Sequence, residues 1–238
     1  ARSKGIKVVN TPASSSDSVA ELVFAHLFGM VRFLYDSNRQ MPLTGDSQFK
    51  DLKKAYSKGS ELKGKTLGIV GIGRIGQAVA KRAIGLGMKV VASDLEVGMK
   101  ISIDLDFFDG QKLSFPIQTV SMDEVLQEAD MVTLHIPGGK GEAVIGEREL
   151  ALMKKGSCIV NAARGGVIDE KALMESLEKG HLAHAALDVF EDEPTPPIQL
   201  LMNNKLSLSP HIGAATSEAQ DRIGTELAGL IEAEFGTK

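Results

Sequence analysis

Residues 65–94 read KTLGIVGIGRIGQAVAKRAIGLGMKVVASD, and this stretch decides the fold. It begins with a short apolar run, passes through a glycine-rich turn into an amphipathic segment of helical length, and ends in a second apolar run. Apolar runs without period-two alternation predict strands that are covered on both faces, as in parallel sheets. The stretch therefore predicts a unit of strand, helix and parallel strand.

The same alternation continues along the rest of the chain. Further strand-like runs read MVTLHIP, SCIVNAA, LAHAALDVF and KLSLSP, and helical stretches such as SMDEVLQEA and DEKALMESLEKG separate them. The last segment, TSEAQDRIGTELAGLIEAEFG, predicts one amphipathic helix capped by Thr216 or Ser217. This order predicts an α/β fold with a doubly wound parallel sheet, the Rossmann arrangement, as one domain over residues 1–238.

Two segments interrupt the alternation of strand and helix. Residues 36–60 are polar and lack a long apolar period, so we predict an extended arm with at most one short helix. Residues 98–119 carry two strand-like runs around Asp109 and Gly110. This dipeptide supplies the positive φ angles of a type I′ turn, and it predicts an inserted hairpin.

Charge and composition limit the partners of the chain. The 27 basic and 31 acidic residues give a net charge of −4 and are spread along the chain, so we expect a small metabolite as partner rather than nucleic acid or a membrane surface. The apolar stretch VAELVFAHLFGMVRFLY contains Glu21, His26 and Arg32. We therefore predict that it is a buried helix and not a membrane segment.

The sequence gives no sign of a metal site. Its single cysteine, Cys158, excludes an intramolecular disulfide and a cysteine-based zinc cluster, which is compatible with a reducing compartment such as the cytoplasm. Because Cys158 lies inside an apolar run, we predict an inert core thiol. Asp104, Asp106 and Asp109 lack the glutamate and the glycine spacing of a calcium loop, and we interpret them as the solvated face of the hairpin.

The glycine-rich turn has the pattern G-x-G-x-x-G, formed by Gly71, Gly73 and Gly76. The first glycine permits a tight turn, the second lets the backbone approach a pyrophosphate, and the third lets the helix pack on the strand. Free N–H groups and the positive end of the helix at Arg74 and Ile75 then face the phosphates. The pattern predicts a dinucleotide site, and the alternative is an α/β turn without a ligand.

The strand after this helix ends at Asp94, close to the position, about 20 residues beyond the glycines, where dinucleotide-binding units carry an acid. A carboxylate there accepts hydrogen bonds from the ribose hydroxyls and repels a 2′-phosphate, so Asp94 predicts NAD rather than NADP. The alternative interpretation of Asp94 is a surface acid near a strand end.

Three more segments complete a pattern that resembles a known family. They are NAARGGVIDEKAL with Arg164, ALDVFEDEP with Asp188 and Glu193, and LSPHIGAAT with His211. Together with GKTLGIVGIGRIG and LHIP, they resemble the D-isomer-specific 2-hydroxyacid dehydrogenases over essentially the whole chain. The resemblance implies hydride transfer between NAD and a small D-2-hydroxy acid or 2-keto acid. It is strongest to the members that act on 3-phosphoglycerate.

The resemblance implies a catalytic role for three of these residues. His211 is expected to take the hydroxyl proton, or to return it in the reverse reaction, since imidazole titrates in the working pH range. Glu193 is expected to bond the other ring nitrogen of His211, and the planar guanidinium of Arg164 to hold the substrate carboxylate. The alternatives are a surface histidine after a proline and, for Glu193, a solvated acidic loop.

The resemblance also extends the cofactor site beyond the glycine turn. Asp188 is expected to meet the nicotinamide carboxamide, and His135 and Pro137 to lie along the adenosine side. Core or surface roles, not catalysis, are expected for the other histidines: His26, His181 and His184.

Family members begin with a flavodoxin-like substrate domain, and none of it is recognisable in residues 1–238. The resemblance implies a domain that binds NAD and forms a homodimer through the cofactor domain and the arm at residues 36–60, with an active-site cleft that lacks one wall. The alternative function is an NAD(H)-sensing corepressor of the same fold, since such relatives keep the same three catalytic residues.

Overall fold

The computed structural model describes residues 2–11, 13–138 and 141–235. Its strands are β1 (Thr66–Val70), β2 (Lys89–Ser93), β3 (Lys100–Asp106), β4 (Lys112–Gln118), β5 (Met131–Leu134), β6 (Cys158–Asn161), β7 (His184–Leu187) and β8 (Leu206–Leu208). Its helices are α1 (Ser16–Val31), α2 (Leu34–Thr44), α3 (Phe49–Ala55), α4 (Arg74–Gly85), α5 (Met122–Glu128), α6 (Glu147–Leu152), α7 (Glu170–Glu178), α8 (Ile198–Leu201) and α9 (Ser217–Phe235), with a 3-10 helix at Arg2–Lys4.

Six strands form one parallel sheet in the order β2-β1-β5-β6-β7-β8. The order reverses at β1, because the chain adds β2 on one side and later β5 on the other. In such sheets ligands bind in the crevice beyond the carboxyl ends of the strands at this reversal. Strands β5 and β6 are buried at every position, and an apolar cluster covers each face of the sheet. The predicted doubly wound sheet is confirmed.

Helix α1 is the buried helix that the apolar stretch near the start predicts. Its inner face packs against α4 and the sheet, and Ala20, Val23 and Leu27 are completely enclosed. Glu21 stays exposed and pairs with Arg82 of α4. In the described ranges no single helix has the length and apolarity of a membrane span, and only the bent pair of α1 and α2 meets that test jointly.

The segment at residues 36–60 is not an extended arm, and this prediction is wrong. It lies largely in two helices, α2 and α3, which have no buried residue. An apolar stripe that faces the core is what indicates a helix in a sequence, and no residue of α2 or α3 is buried in the core of this chain. Pro42 lies inside α2, where it lacks the N–H that would bond the carbonyl four residues earlier, so the sequence around it does not favour a helix.

Strands β3 and β4 form the predicted antiparallel hairpin, but its turn is not type I′. Gly110 has a φ of 85°, whereas Asp109 keeps a negative φ. The Gly110 N–H bonds the Phe107 carbonyl, and the register pairs Asp106 with Lys112. This is a type I turn followed by a left-handed glycine. The dipeptide alone does not distinguish the two turns, because both accept glycine at the left-handed position.

The side chains predicted to be structural have the expected surroundings. Asp104 lies on the exposed face of the hairpin and accepts hydrogen bonds from two serines. Thr216 caps α9 through the N–H of Ala219. Cys158 is buried, and burial raises the pKa of its thiol to about 11. Within the described residues, no group of three or more His, Cys, Asp or Glu could hold a metal ion.

Candidate active site

All the predicted site residues lie at or beyond the carboxyl ends of strands of the parallel sheet. The cofactor residues follow β1, β2 and β5, except for Asp188, which follows β7. The residues predicted to be catalytic follow β6, β7 and β8. Since these six strands are neighbours in a parallel sheet, one edge of the molecule carries both groups.

The glycine turn is fixed by close backbone approaches. Gly71 has a φ of 92°, and a Cβ at this position would lie 2.5 Å from the carbonyl oxygen of His135. A Cβ at Gly76 would lie 2.2 Å from the carbonyl oxygen of Gly71. Around Gly73, in contrast, no atom of the described residues lies within 4 Å of the Cβ position, apart from the adjoining backbone. Packing thus requires glycine at positions 71 and 76. Gly73 leaves open space where the motif predicts a pyrophosphate.

Helix α4 begins directly at this open space. Its first turn closes with the bond from the Gln77 N–H to the Gly73 carbonyl, so the N–H groups of Arg74, Ile75 and Gly76 have no partner within the helix. These donors and the helix dipole favour an anion at this end. The residues present therefore fit the pyrophosphate of NAD.

Asp94 braces the glycine turn. Its Oδ2 accepts the N–H of Ile72 at 2.9 Å, and its Oδ1 accepts the N–H of Leu95 at 2.8 Å. A carboxylate has about four acceptor sites, so both oxygens can still accept from ribose hydroxyls. Ribose binding by Asp94 stays a prediction.

His135 contributes its backbone, rather than its ring, to the glycine turn. Its carbonyl abuts Gly71, while its Nε2 lies 3.0 Å from the hydroxyl of Thr133. The Nδ1 is buried without a partner among the described residues. Burial lowers the pKa of His135 to about 3, so the ring is neutral. Pro137 follows on the exposed surface, and the predicted contacts of both residues with adenosine stay predictions.

The predicted pair of His211 and Glu193 is present. The Nδ1 of His211 lies 2.8 Å from the Oε2 of Glu193, and the other carboxylate oxygen accepts the N–H of Phe190 at 2.9 Å. The hydrogen bond from His211 holds the pKa of Glu193 below its ordinary value, with further contributions from the Phe190 N–H and the charge of Arg164. The His211 ring is half exposed, so its Nε2 edge can meet a substrate.

The loop that carries His211 is held by Asp188, which is 2% exposed. One oxygen of Asp188 accepts from the Ser209 hydroxyl at 2.6 Å and the Ile212 N–H at 2.9 Å, and the other accepts the Gly213 N–H at 2.8 Å. His211 itself has a φ of 55°. This left-handed backbone costs roughly 1–2 kcal/mol. Hydrogen bonds to a charged group contribute about 1.5–3 kcal/mol each, so the bonds to Asp188 exceed this cost.

Asp188 therefore has a role in the histidine loop that the sequence did not reveal. The resemblance implies a contact with the nicotinamide carboxamide, and this contact stays a prediction. The motif ALDVFEDEP does not indicate the hydrogen bonds from the His211 loop to Asp188, because their donors lie 21 to 25 residues further along the chain.

Arg164 lies in a loop that Asn161 closes. The Asn161 side chain donates to the Arg164 carbonyl at 3.0 Å and accepts the Ala163 N–H at 3.1 Å. A Cβ at the next residue, Gly165, would lie 1.8 Å from the carbonyl oxygen of Phe190. The loop of Arg164 thus packs directly on the segment that leads to Glu193. Sequence reasoning missed both Asn161 and Gly165, although the paired glycines after the arginine were a possible signal.

Comparisons with known proteins identify the family of the chain. The family model for the D-isomer specific 2-hydroxyacid dehydrogenase, NAD binding domain, matches residues 24–213. The chain is 43% identical to a hydroxypyruvate reductase of Thermotoga maritima, with 99% of this chain and 72% of the relative covered. It is 40% identical to a D-3-phosphoglycerate dehydrogenase of Methanocaldococcus jannaschii, with 98% of this chain but only 42% of the relative covered.

Solved structures show the same fold. A D-lactate dehydrogenase from Aquifex aeolicus, complexed with NAD and lactic acid, superimposes with a TM-score of 0.77 at 30% identity, over 98% of this chain and 70% of that one. A D-mandelate dehydrogenase from Rhodotorula graminis gives 0.83 at 28% identity, over 97% and 66%. The chain belongs to the D-isomer specific 2-hydroxyacid dehydrogenase family and contains its NAD-binding domain.

Proposed function

We propose that this protein transfers a hydride between NAD and a small D-2-hydroxy acid or 2-keto acid, with 3-phosphoglycerate and 3-phosphohydroxypyruvate as the substrate pair. The observation that carries the proposal is the 2.8 Å contact between His211 and Glu193, with the charge of Arg164 close enough to act on the same carboxylate. This group lies on the sheet edge that also carries the glycine turn.

The three side chains suit the protein's part of this reaction. NAD supplies the hydride chemistry when it is bound. Oxidation of an alcohol also releases a proton, which the exposed Nε2 of His211 can take while its Nδ1 stays paired with Glu193. The guanidinium of Arg164 can hold the carboxylate next to the reacting carbon in a fixed orientation.

We assign the cofactor site to the glycine turn and its surroundings. The N–H groups at the start of α4 bind the pyrophosphate, and the carboxylate of Asp94 binds the ribose. The proposed cofactor residues are Gly71, Gly73, Arg74, Ile75, Gly76, Asp94, His135, Pro137 and Asp188.

The choice of 3-phosphohydroxypyruvate rests on sequence similarity. The stretches KGSELKGKTLGIVGIGRIGQ and SPHIGAATSEAQDRIG are the ones that most resemble phosphoglycerate dehydrogenases. Several relatives with that name are 37 to 40% identical to this chain. Hydroxypyruvate, the substrate named for the Thermotoga maritima relative, differs from this keto acid by a phosphate group.

Steady-state oxidation of NADH by the full-length protein tests the proposal. We expect kcat/KM for 3-phosphohydroxypyruvate to exceed that for hydroxypyruvate, glyoxylate and pyruvate by about 10-fold or more. A preference for hydroxypyruvate would keep the reaction class and replace the substrate. If no keto acid of the panel is turned over although NADH binds, the protein is an NAD(H)-sensing regulator instead.

We also propose that two copies associate through α2 and α3. No residue of these helices is buried within the chain, and they expose large apolar side chains: Leu34, Tyr35, Leu43 and Phe49. Light scattering should give a dimer, and the double variant Leu43→Glu, Phe49→Glu should give a monomer. An unchanged mass in that variant would place the interface elsewhere.

A further inference from the structure

A buried chain of polar side chains runs from helix α1 to the loop of the active-site histidine. His26 on α1 is 6% exposed. Its Nδ1 lies 2.8 Å from the hydroxyl of Ser207, and its Nε2 lies 3.0 Å from the hydroxyl of Ser209. Ser209 in turn donates to Asp188 at 2.6 Å. The proposed reaction gives no role to His26, and the sequence predicts only a core or surface residue.

The hydrogens in this chain have one consistent arrangement. The carboxylate of Asp188 only accepts, so the single hydroxyl hydrogen of Ser209 points to it. The Ser209 oxygen must then accept from the Nε2 of His26, which therefore carries a hydrogen. Burial lowers the pKa of His26, although the charge of Asp188 partly opposes this, so the ring is neutral. Its Nδ1 is then an acceptor for the hydroxyl of Ser207.

The chain continues from Asp188 into the backbone around His211. Asp188 accepts the N–H groups of Ile212 and Gly213, the two residues that follow His211. Helix α1 also reaches this loop directly, because the Ser18 hydroxyl donates to the Gly213 carbonyl at 2.7 Å. The left-handed backbone of His211 thus depends on a set of bonds that begins on α1.

We propose that His26 is a positioning residue for the reaction: through Ser209 and Asp188 it holds the loop that presents His211 to Glu193. The inference rests on the proposed function, in which His211 transfers the proton. His26 touches neither His211 nor Glu193. An apolar residue could fill its space, but Ser209 would then lose the donor that keeps its hydroxyl turned toward Asp188.

The chain offers a matched control, because the two ring nitrogens of His26 have different partners. Ser207→Ala removes the contact at Nδ1 and leaves the path to Asp188 intact, whereas Ser209→Ala removes the path. In the full-length protein we expect Ser209→Ala and His26→Leu to lower kcat by about 10-fold. Ser207→Ala should stay within about 3-fold of the wild type.

A conservative variant separates positioning from packing. Glutamine can place its amide nitrogen where the Nε2 of His26 lies, so His26→Gln retains a donor for Ser209 and should restore most of the kcat lost in His26→Leu. Equal losses in Ser207→Ala and Ser209→Ala, or no rescue by glutamine, would show a general packing role and overturn the proposal. Ser209→Ala still provides the test if His26→Leu does not fold.

A second measurement does not depend on turnover. The carboxyl carbon of Glu193, assigned by difference with Glu193→Gln, can be titrated by ¹³C NMR in the full-length protein. In the wild type and in Ser207→Ala, the bond from His211 should keep the pKa of Glu193 below its ordinary value. In Ser209→Ala and His26→Leu it should rise toward that value. If the pKa of Glu193 is unchanged in Ser209→Ala and in His26→Leu, the positioning role of His26 is overturned. This outcome does not depend on whether the wild type reduces any keto acid.

Discussion

The two halves of the sheet edge hold their functional groups by different means. Beyond β1 and β2, the main chain makes the site: the glycines allow close backbone approaches, and free N–H groups point outward from α4. Beyond β7 and β8, side chains make the site: the carboxylates of Glu193 and Asp188 fix the ring and the backbone of His211. The first half suits a ligand recognised by its phosphates, and the second suits proton transfer by one ring nitrogen.

This difference predicts separable defects. A change in the glycine half should act on fold or on cofactor affinity, because its contacts exist before the substrate arrives. A change at His211 or Glu193 should act on kcat and leave cofactor affinity intact, because these two groups act on the proton.

The largest effect is expected for His211→Ala. The variant removes the only ring that can take the substrate proton in the proposed reaction, so kcat should fall by about 10³-fold. The NADH dissociation constant, measured by isothermal titration calorimetry, should change by less than about 2-fold. A matched control is His181→Ala, which removes a histidine outside the site. A near-normal rate in His211→Ala would refute the proton-transfer assignment.

Two alanine variants of the glycine turn test whether each glycine acts in the way its surroundings indicate. Gly71→Ala forces a Cβ against the His135 carbonyl and a non-glycine residue into positive φ, so the Tm should fall by about 5 °C or more. Gly73→Ala has open space for its Cβ among the described residues, so the Tm should change by less than about 2 °C while the NADH dissociation constant rises about 10-fold. Unaltered NADH affinity in Gly73→Ala would argue against a pyrophosphate at this turn.

The same difference decides how much the sequence could predict. The glycine motif lies within residues 71–76, so its spacing alone indicated strand, turn and helix. The contact of His211 with Glu193 spans 18 residues and that of His26 with Ser209 spans 183. Local patterns do not encode such contacts; resemblance to a family supplied the first, and nothing supplied the second. For α2 and α3 the sequence prediction allowed only one short helix, because neither helix buries a residue in the core of this chain.

A smaller effect is expected for Asp94→Ala, which tests the link between the cofactor half and NAD. Removing the carboxylate removes both the ribose acceptor and the repulsion of a 2′-phosphate, so the preference of kcat/KM for NADH over NADPH should narrow by about 10-fold. The carboxylate also braces the turn through Ile72 and Leu95, so Asp94→Asn, which keeps an acceptor, serves as the companion variant. If the cofactor ratio is the same in both variants and the wild type, Asp94 does not contact the ribose.

The smallest effect is expected for Glu193→Gln, read as a shift of the pH–rate profile. Glutamine can still accept from the Nδ1 of His211, but it lacks the negative charge that favours the charged ring. Loss of that charge makes proton release easier, so the profiles for oxidation and reduction should both move to lower pH, by up to about one unit for a pair this exposed.

The pKa of Glu193 in the wild type is lowered, so Glu193 stays charged as the pH falls to the ordinary pKa of a glutamate. The effect of this charge on His211 is lost only at lower pH. Asp192→Asn removes the same charge from the same exposed loop without breaking a contact to His211, and it should leave the profile in place. Equal shifts in the two variants would mean that the net charge of the loop acts on His211. A shift confined to Glu193→Gln requires the direct bond, because among the described residues only the Glu193 carboxylate lies within hydrogen-bond distance of the ring.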